Sequence, residues 1–298
     1  MKVLNFGSLN IDYTYSMPHI VKPQETITSK KLEVFCGGKG LNQSIAMAKA
    51  GLPVYHAGLV GEDGKCLWDA CLANGINTSC IMTVPERTGN AIIQVDEDGQ
   101  NCILLYPGAN RMNSKIFVDE VLEGFGDGDV LVLQNEINLI DYLIEQAHEK
   151  GMLIVLNPSP FDEAVLKCDL NKVSYFFMNE IEGELLTGES EPEDILDVMQ
   201  MKYPDSRVVL TLGEKGVWYA DTVKRWYQGI YQVDVVDTTA AGDTFTGYFL
   251  KSILSGETGQ TALQKASLAA AMAVSKKGAS DSIPMADEVE NKFKEVHP

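Results

Sequence analysis

Residues 237–243 read Asp-Thr-Thr-Ala-Ala-Gly-Asp and lead directly into a stretch with helical periodicity. A turn of small residues that opens a helix leaves the first backbone N–H groups unpaired. With the helix dipole they form an anion site. Gly242 lets a phosphate approach the backbone closely. Asp243 in this position is either a helix cap or a general base that takes a proton from an attacking hydroxyl. Taken alone, the cap is the simpler reading.

A second stretch, Cys36-Gly37-Gly38-Lys39-Gly40-Leu41-Asn42-Gln43, precedes a helix that closes at Ala50-Gly51. It is not a P-loop, because Gly40 rather than Ser or Thr follows Lys39. Nor is it a dinucleotide fingerprint, because Gln43 holds the sixth position. By itself it reads as a ligand-approaching loop or a plain one.

The elements that must position these residues are short continuous apolar runs alternating with helical stretches. Residues 3–11, 54–60, 130–133, 153–156, 173–178 and 208–212 read as strands, and residues 137–150 and 192–202 as helices between them. Continuous apolar strands are those of a parallel sheet covered on both faces. The expected fold is therefore a doubly wound α/β sheet. The C-terminal third is read as helices at 241–254, 261–277 and 287–296. Residues 13–36 and 88–106 break the rhythm. The acidic turn ending in Asp98-Gly99, between two β-prone runs, is a hairpin signal. These segments predict a small β-sheet, either a lid over a cleft or an edge hairpin. No linker or repeat divides the chain, so residues 1–298 are expected to form one domain.

Ligands of open α/β sheets gather at the carboxyl ends of the strands. The polar residues that follow the apolar runs are Asn10 and Asp12, Gln134-Asn135-Glu136, Asn157, Asn179 with Glu182, residues 213–216, and residues 237–243. So many convergent polar positions suggest one cleft.

The 298 residues carry 24 Lys+Arg against 42 Asp+Glu, a net charge of −18. That excess disfavours nucleic-acid partners and anionic membrane surfaces. No apolar window is long enough for a membrane span and no secretory leader is evident, which predicts a cytoplasmic protein. The six cysteines have irregular spacing with no Cys-x-x-Cys, and the four histidines show no metal-ligand spacing. Free, mostly buried thiols in a reducing compartment are expected, and no structural zinc.

Taken together, Gly37-Gly38-Lys39-Gly40-x-Asn42-Gln43 and Asp237-Thr-x-Ala-Ala-Gly-Asp243 resemble the two signatures of the ribokinase-like (phosphofructokinase-B) carbohydrate kinases. The resemblance extends through Gly7-Ser8-Leu9-Asn10-Ile11-Asp12, Asn157-Pro158, Asn179-x-x-Glu182, Thr211-Leu212-Gly213-x-x-Gly216 and Lys277-Gly278-Ala279. The Ala240-Ala241 pair and Pro107-Gly108-Ala109-Asn110 resemble the ribokinase branch. The resemblance implies transfer of the γ-phosphoryl of ATP to a sugar hydroxyl, D-ribose giving ribose 5-phosphate. Deoxyribose, a ketohexose or a nucleoside are the alternative acceptors. Asp243 would be the base, with the amides of Ala241, Gly242 and Asp243, after Ala240, holding the developing charge. Asn10, Asp12, Gly38, Lys39, Gly40, Asn42 and Glu136 would bind the sugar. Asn179, Thr211, Gly213, Gly216 and Gly242 would bind the nucleotide, and Glu182 would orient Mg²⁺ through water. A K⁺ ion would sit among Asp237, Thr239, Ala273, Lys276, Gly278 and Ser282. The resemblance further implies a homodimer through the lid, with Ile27, Leu32, Val34, Ile92 and Ile103 on its face. Gln24 stands where the family commonly has glycine, which predicts a different lid turn. A non-catalytic sugar- or nucleotide-binding regulator is disfavoured by Asp243, and a dehydrogenase by the missing glycine fingerprint.

Overall fold

The computed structural model describes residues 1–297. In chain order the strands are β1 (Val3–Phe6), β2 (Asn10–Ser16), β3 (Lys31–Gly37), β4 (Val54–Val60), β5 (Asn77–Thr83), β6 (Gly89–Val95) and β7 (Asn101–Tyr106). They continue as β8 (Val130–Gln134), β9 (Leu153–Asn157), β10 (Tyr175–Asn179), β11 (Arg207–Thr211), β12 (Val217–Ala220) and β13 (Arg225–Gln228). The helices are α1 (Lys39–Lys49), α2 (Lys65–Ala73), α3 (Lys115–Leu122), α4 (Ile140–Glu149), α5 (Glu180–Thr187), α6 (Pro192–Lys202), α7 (Ala241–Leu254), α8 (Gly259–Val274) and α9 (Ala286–Val296).

Nine strands form the large sheet in the order β13-β12-β11-β10-β9-β8-β1-β4-β5. The seven from β11 to β5 run parallel, while β12 and β13 are antiparallel additions. Both faces of the parallel part are covered, as its continuous apolar strands require. Leu4, Phe6, Leu131 and Leu133 pack against α3, α4, α5 and α6. Val3, Val130 and Val132 pack against α1, α2, α7, α8 and α9. The expected doubly wound α/β fold is therefore the one observed.

From β1 the chain first builds outward to β4 and β5, then returns to lay β8 on the other side of β1. The strand order thus reverses between β1 and β8, and a crevice opens at their carboxyl ends. Gln134 pairs in register with Asn157, and Asn179 with Thr211, so these polar residues share that same end of the sheet.

A second, four-stranded sheet has the order β3-β2-β6-β7. It is mixed, since β2 and β6 run parallel. Its β6–β7 hairpin turns through Asp96–Gln100, where Gly99 N donates to Asp96 O at 3.1 Å. Val34, Tyr13, Ile92 and Leu104 lie opposite one another across the four strands, so they share one face. Leu32, on the same face, is 48% exposed and Val34 55%. Ile103 pairs with Ile93 and therefore lies on the other face, which corrects the single face expected for the five apolar residues. Ile27 is only partly exposed and lies between strands.

Several expectations are corrected in detail. The run 3–11 is two strands in two sheets, because α1 presses on the backbone between them. Helix α4 begins at Ile140 rather than 137, since Leu139 is left-handed (φ 62°). Helix α8 starts at Gly259, capped by the Thr258 side chain, and stops before Lys277. Only Cys71 and Cys168 are buried; Cys66 and Cys102 are exposed and Cys36 and Cys80 intermediate, all six as free thiols. Gln24 itself adopts the left-handed conformation, φ 68°, that glycine would supply.

Candidate active site

Helix α7 begins with Ala240 in the left-handed region, φ 60°. A non-glycine residue there carries local strain that the surrounding structure must hold. The turn is braced by Asp237, whose Oδ1 accepts from Thr239 N at 2.9 Å and whose Oδ2 accepts from Gly278 N at 3.1 Å. A Cβ placed on Gly242 would meet nothing within 4 Å, so the space over these first-turn amides is open. Asp243 follows, 8% exposed. No side chain caps α7, so Asp243 is not acting as its N-cap. Burial pushes its carboxyl up from the usual range, while Lys39 charge and hydrogen bonds from Gln43 and Asn42 oppose that.

The amino end of α1 meets that of α7. A Cβ on Gly40 would fall on the backbone of Ser8, so only glycine lets α1 sit this close to the β1–β2 connection. The amide of Lys39 donates to Glu136 Oε2 at 3.1 Å, and Gly40 N donates to Ser8 Oγ at 3.1 Å. Ser8 Oγ in turn donates to Glu136 Oε2. These bonds close the crevice floor between β1 and β8. Asn10 leads into β2, its Oδ1 accepting from Asn110 Nδ2 at 2.7 Å. Asp12, on the same strand, is pushed up to about 7 by burial and by the neighbouring charge of Glu136. Glu136 is itself raised by burial, with Ser8 and Lys39 opposing and Asp243 adding to the shift. Glu136 and Asp243 thus share the charge of one lysine in a half-dry crevice, with Asp12 beside Glu136. Asn42 is 7% exposed, and its Oδ1 has no partner. A buried polar atom without a partner is costly, and a bound polyhydroxyl ligand would satisfy it.

Two cavities adjoin the α7 turn. One of about 240 Å³ is lined by Lys39, Asn157, Asn179, Glu182, Gly242 and Asp243 among others. The other, about 640 Å³, is lined by Thr211, Gly213, Gly216, Tyr231, Phe245, Ala270 and Val274 among others. Thr211, Thr238, Ala241 and Gly242 line both, so the two are joined over the start of α7. Asn10, Asp12, Asn42 and Glu136 line neither and belong to the crevice beside Lys39.

Asn179 and Glu182 spend hydrogen bonds on each other. Glu182 N donates to Asn179 Oδ1 at 2.9 Å, and Asn179 N to Glu182 Oε2 at 2.9 Å, a reciprocal cap of α5. Both still face the smaller cavity. Among the other residues expected at a cation, Lys276 N donates to Ala273 O at 3.0 Å and Ser282 Oγ to Ala279 O at 2.9 Å. Asp237, Thr239 and Gly278 are brought together by the Asp237 carboxylate, whose pKa burial raises but whose hydrogen bonds and Lys277 charge carry lower overall.

The structure adds residues for which no site role was read from sequence: Ser8, Gln43, Asn110 and Gln134. Ser8, Gln43 and Asn110 lie inside quoted motifs, and Gln134 was noted at a strand end. Neutral hydroxyls and amides carry no spacing signal of their own, so only the three-dimensional contacts reveal them.

The model of the pfkB family carbohydrate kinases matches residues 1–286. Ribokinase of Haemophilus influenzae is 36% identical over 294 residues, 95% of each chain. Deoxyribokinase of Salmonella typhi is 32% identical over 307 residues, 97% of each. The crystal structure of ribokinase from Cryptococcus neoformans var. grubii serotype A in complex with ADP is similar with a TM-score of 0.84. It is 33% identical and covers 98% of this chain and 99% of that one.

Proposed function

The chain belongs to the pfkB family of carbohydrate kinases, and we propose that it phosphorylates D-ribose to ribose 5-phosphate with ATP as donor. The observation that carries this reading is Asp243, buried at the start of α7 beside open Gly242 amides and across from the Asn10–Asp12–Glu136 crevice. Similarity to ribokinases along the whole chain supports ribose as acceptor.

In this reading Asn10, Asp12, Gly38, Lys39, Gly40, Asn42 and Glu136 hold the sugar hydroxyls. Carboxylates accept from vicinal hydroxyls while amides both accept from and donate to them, and their fixed spacing selects a polyol. The 5-hydroxyl oxygen attacks the γ-phosphorus and its proton passes to Asp243. The bond from the γ-phosphorus to the β-bridging oxygen breaks, and ADP leaves with that electron pair. Phosphoryl transfer is mostly positioning and charge stabilisation. Here the amides of Ala241, Gly242 and Asp243 face the developing negative charge. Asn179, Thr211, Gly213 and Gly216 would seat the nucleotide along the joined cavities.

Family membership implies a divalent metal. The oxygen donors at the smaller cavity, one Glu182 carboxylate with the Asn157 and Asn179 amides, fit a hydrated Mg²⁺ that leans on phosphates. When bound with ATP, such an ion neutralises charge on the phosphate oxygens. A K⁺ ion beside the α7 turn, among Asp237, Thr239, Ala273, Lys276, Gly278 and Ser282, belongs to the same reading. There it would steady the strained Ala240 turn. The small sheet acts as a lid, and a second copy covers its apolar face; light scattering of wild type against Val34→Lys tests that dimer. The reaction is placed in the cytoplasm, where ATP is supplied. Among the described residues no helix is long and apolar enough to cross a membrane.

The relative named deoxyribokinase keeps deoxyribose as a second acceptor to test. The experiment is an ADP-release assay with ATP and Mg²⁺ over pentoses, deoxyribose, hexoses and nucleosides, with and without K⁺. Turnover on ribose, raised by K⁺, supports the whole reading. Turnover on another acceptor keeps the kinase and removes ribose. Sugar binding without turnover anywhere would overturn the reading in favour of a regulator.

A further inference from the structure

A line of buried polar side chains runs from Asp243 into the α1 face of the sheet, and the phosphoryl-transfer scheme makes no use of it. Gln43 Nε2 donates to Asp243 Oδ1 at 3.0 Å. Gln134 Nε2 donates to Gln43 Oε1 at 2.7 Å and to Asn5 Oδ1 at 2.9 Å. Asn5 Nδ2 donates to Gly40 O at 2.6 Å and to Ser44 Oγ at 2.8 Å, and Ser44 Oγ bonds His56 Nδ1 at 2.8 Å. Asn5, Gln43, Ser44, His56 and Gln134 are all 0% exposed. One atom of the line, Gln134 Oε1, has no partner, while the His56 ring meets only the backbone at Gly7 beyond its bond to Ser44. A core built for stability alone gains nothing from such a line, because incompletely satisfied buried polar groups are destabilising.

The line has a sense. A backbone carbonyl only accepts, so Gly40 O obliges Asn5 to present its NH₂ there and its Oδ1 to Gln134. Gln134 must then give its NH₂ to both Asn5 and Gln43. Gln43 is thereby forced to turn its NH₂, not its carbonyl, toward the carboxylate. Primary amides do not relay protons at neutral pH, so the line orients rather than conducts.

Resting on the reading of Asp243 as base, we propose that Gln43 is a positioning residue whose amide, locked by Gln134, holds Oδ1 of Asp243 and leaves Oδ2 for the sugar hydroxyl. The bond also favours the ionised carboxylate, in company with Lys39 and Asn42 on α1 and against the Glu136 charge beyond β8. His56, at the far end, is held neutral by burial, its pKa lowered to about 4, and adds no charge.

The test uses the full-length enzyme with Gln43→Met and Gln134→Met, near-isosteric changes that remove the amides. Folding is checked by circular dichroism and sugar binding by calorimetry. For Gln43→Met the proposal expects kcat to fall ~10- to 100-fold with KM for sugar within about twofold. The acid limb of the kcat profile should move up by about one pH unit. Gln134→Met, which does not touch Asp243, should shift the limb the same way by less. The double variant should be no worse than Gln43→Met, because the two act through one bond. Where Gln43→Met does not fold, Gln134→Met decides. An unmoved acid limb, or loss of kcat and binding together without a shift, would overturn the proposal. Asp243→Asn is run in parallel: if it keeps turnover, the base reading is what has failed.

Discussion

Gly247 on α7 lies so close to α1 that a Cβ on it would stand 2.6 Å from the carbonyl carbon of Ala46 and 2.7 Å from its Cβ. This contact sets the distance between the two helix starts that carry Lys39, Asn42 and Gln43 on one side and Gly242 and Asp243 on the other. Gly247→Val should separate them. We expect a loss of about 1–3 kcal/mol in urea unfolding from overpacking. Turnover measured well below the melting temperature should still fall at least ~10-fold, because the Gln43–Asp243 bond lengthens. Normal turnover in a destabilised variant would show that the helix contact is not what sets the site.

Asp243→Asn removes the proposed proton acceptor and keeps the shape. Turnover should drop by ~10²- to 10⁴-fold, the usual contribution of a general base. Calorimetric sugar affinity should stay within a few-fold, since the proposed partners of the sugar lie mainly along Asn10, Asp12 and Glu136.

Asp12 gives stability a pH dependence of known sign. Its folded pKa of about 7 lies above the unfolded-chain value of 3.8, so between those values the folded state holds more protons than the unfolded chain. Stability therefore falls as pH rises from about 4 to 7. The loss is at most about 4 kcal/mol at 1.36 kcal/mol per unit, and less with solvent screening. Asp12→Asn should flatten that part of a melting-temperature profile. An unchanged slope would place the charge elsewhere.

Gln24 holds φ 68° without glycine's freedom. A left-handed non-glycine residue costs about 1–2 kcal/mol, partly offset by the greater unfolded-state entropy of glycine. Gln24→Gly should therefore stabilise by up to about 1 kcal/mol in thermal or urea unfolding and leave KM for sugar unchanged. A destabilised variant would mean that the Gln24 side chain supports the turn.

The strongly periodic elements were legible in the sequence: β4, α6 and α7 match their expected bounds. Strands β5, β12 and β13 were not, because β5 opens on polar residues and β12 and β13 are only four residues long. Residues 3–11 read as one strand because Leu9 and Ile11 continue the apolar run. The chain leaves the large sheet at Gly7 only because Gly40 of α1 presses there, a contact invisible along the sequence. Asp243 and Gly242 were legible because a turn of small residues before a helix has a direct physical meaning. Ser8, Asn110 and Gln134 act by hydrogen bonds to groups 100 residues or more apart, Ser8 to the Glu136 carboxylate and the other two between neutral amides. Nothing local marks such partners.

Gln43 and Asp243 meet across a sequence separation of 200. On the ribosome, at ~5–20 residues per second, roughly 10–40 s pass between the synthesis of one and of the other. During that interval the growing polypeptide owns the Gly-Gly-Lys-Gly loop and the strands around it but neither Asp243 nor the amino end of α7. With Asp243 as the proposed base, an mRNA cut short before codon 243 yields a product that cannot perform this transfer, however well its first half folds. In that reading the site is completed late in translation, so an unfinished chain does not spend nucleotide.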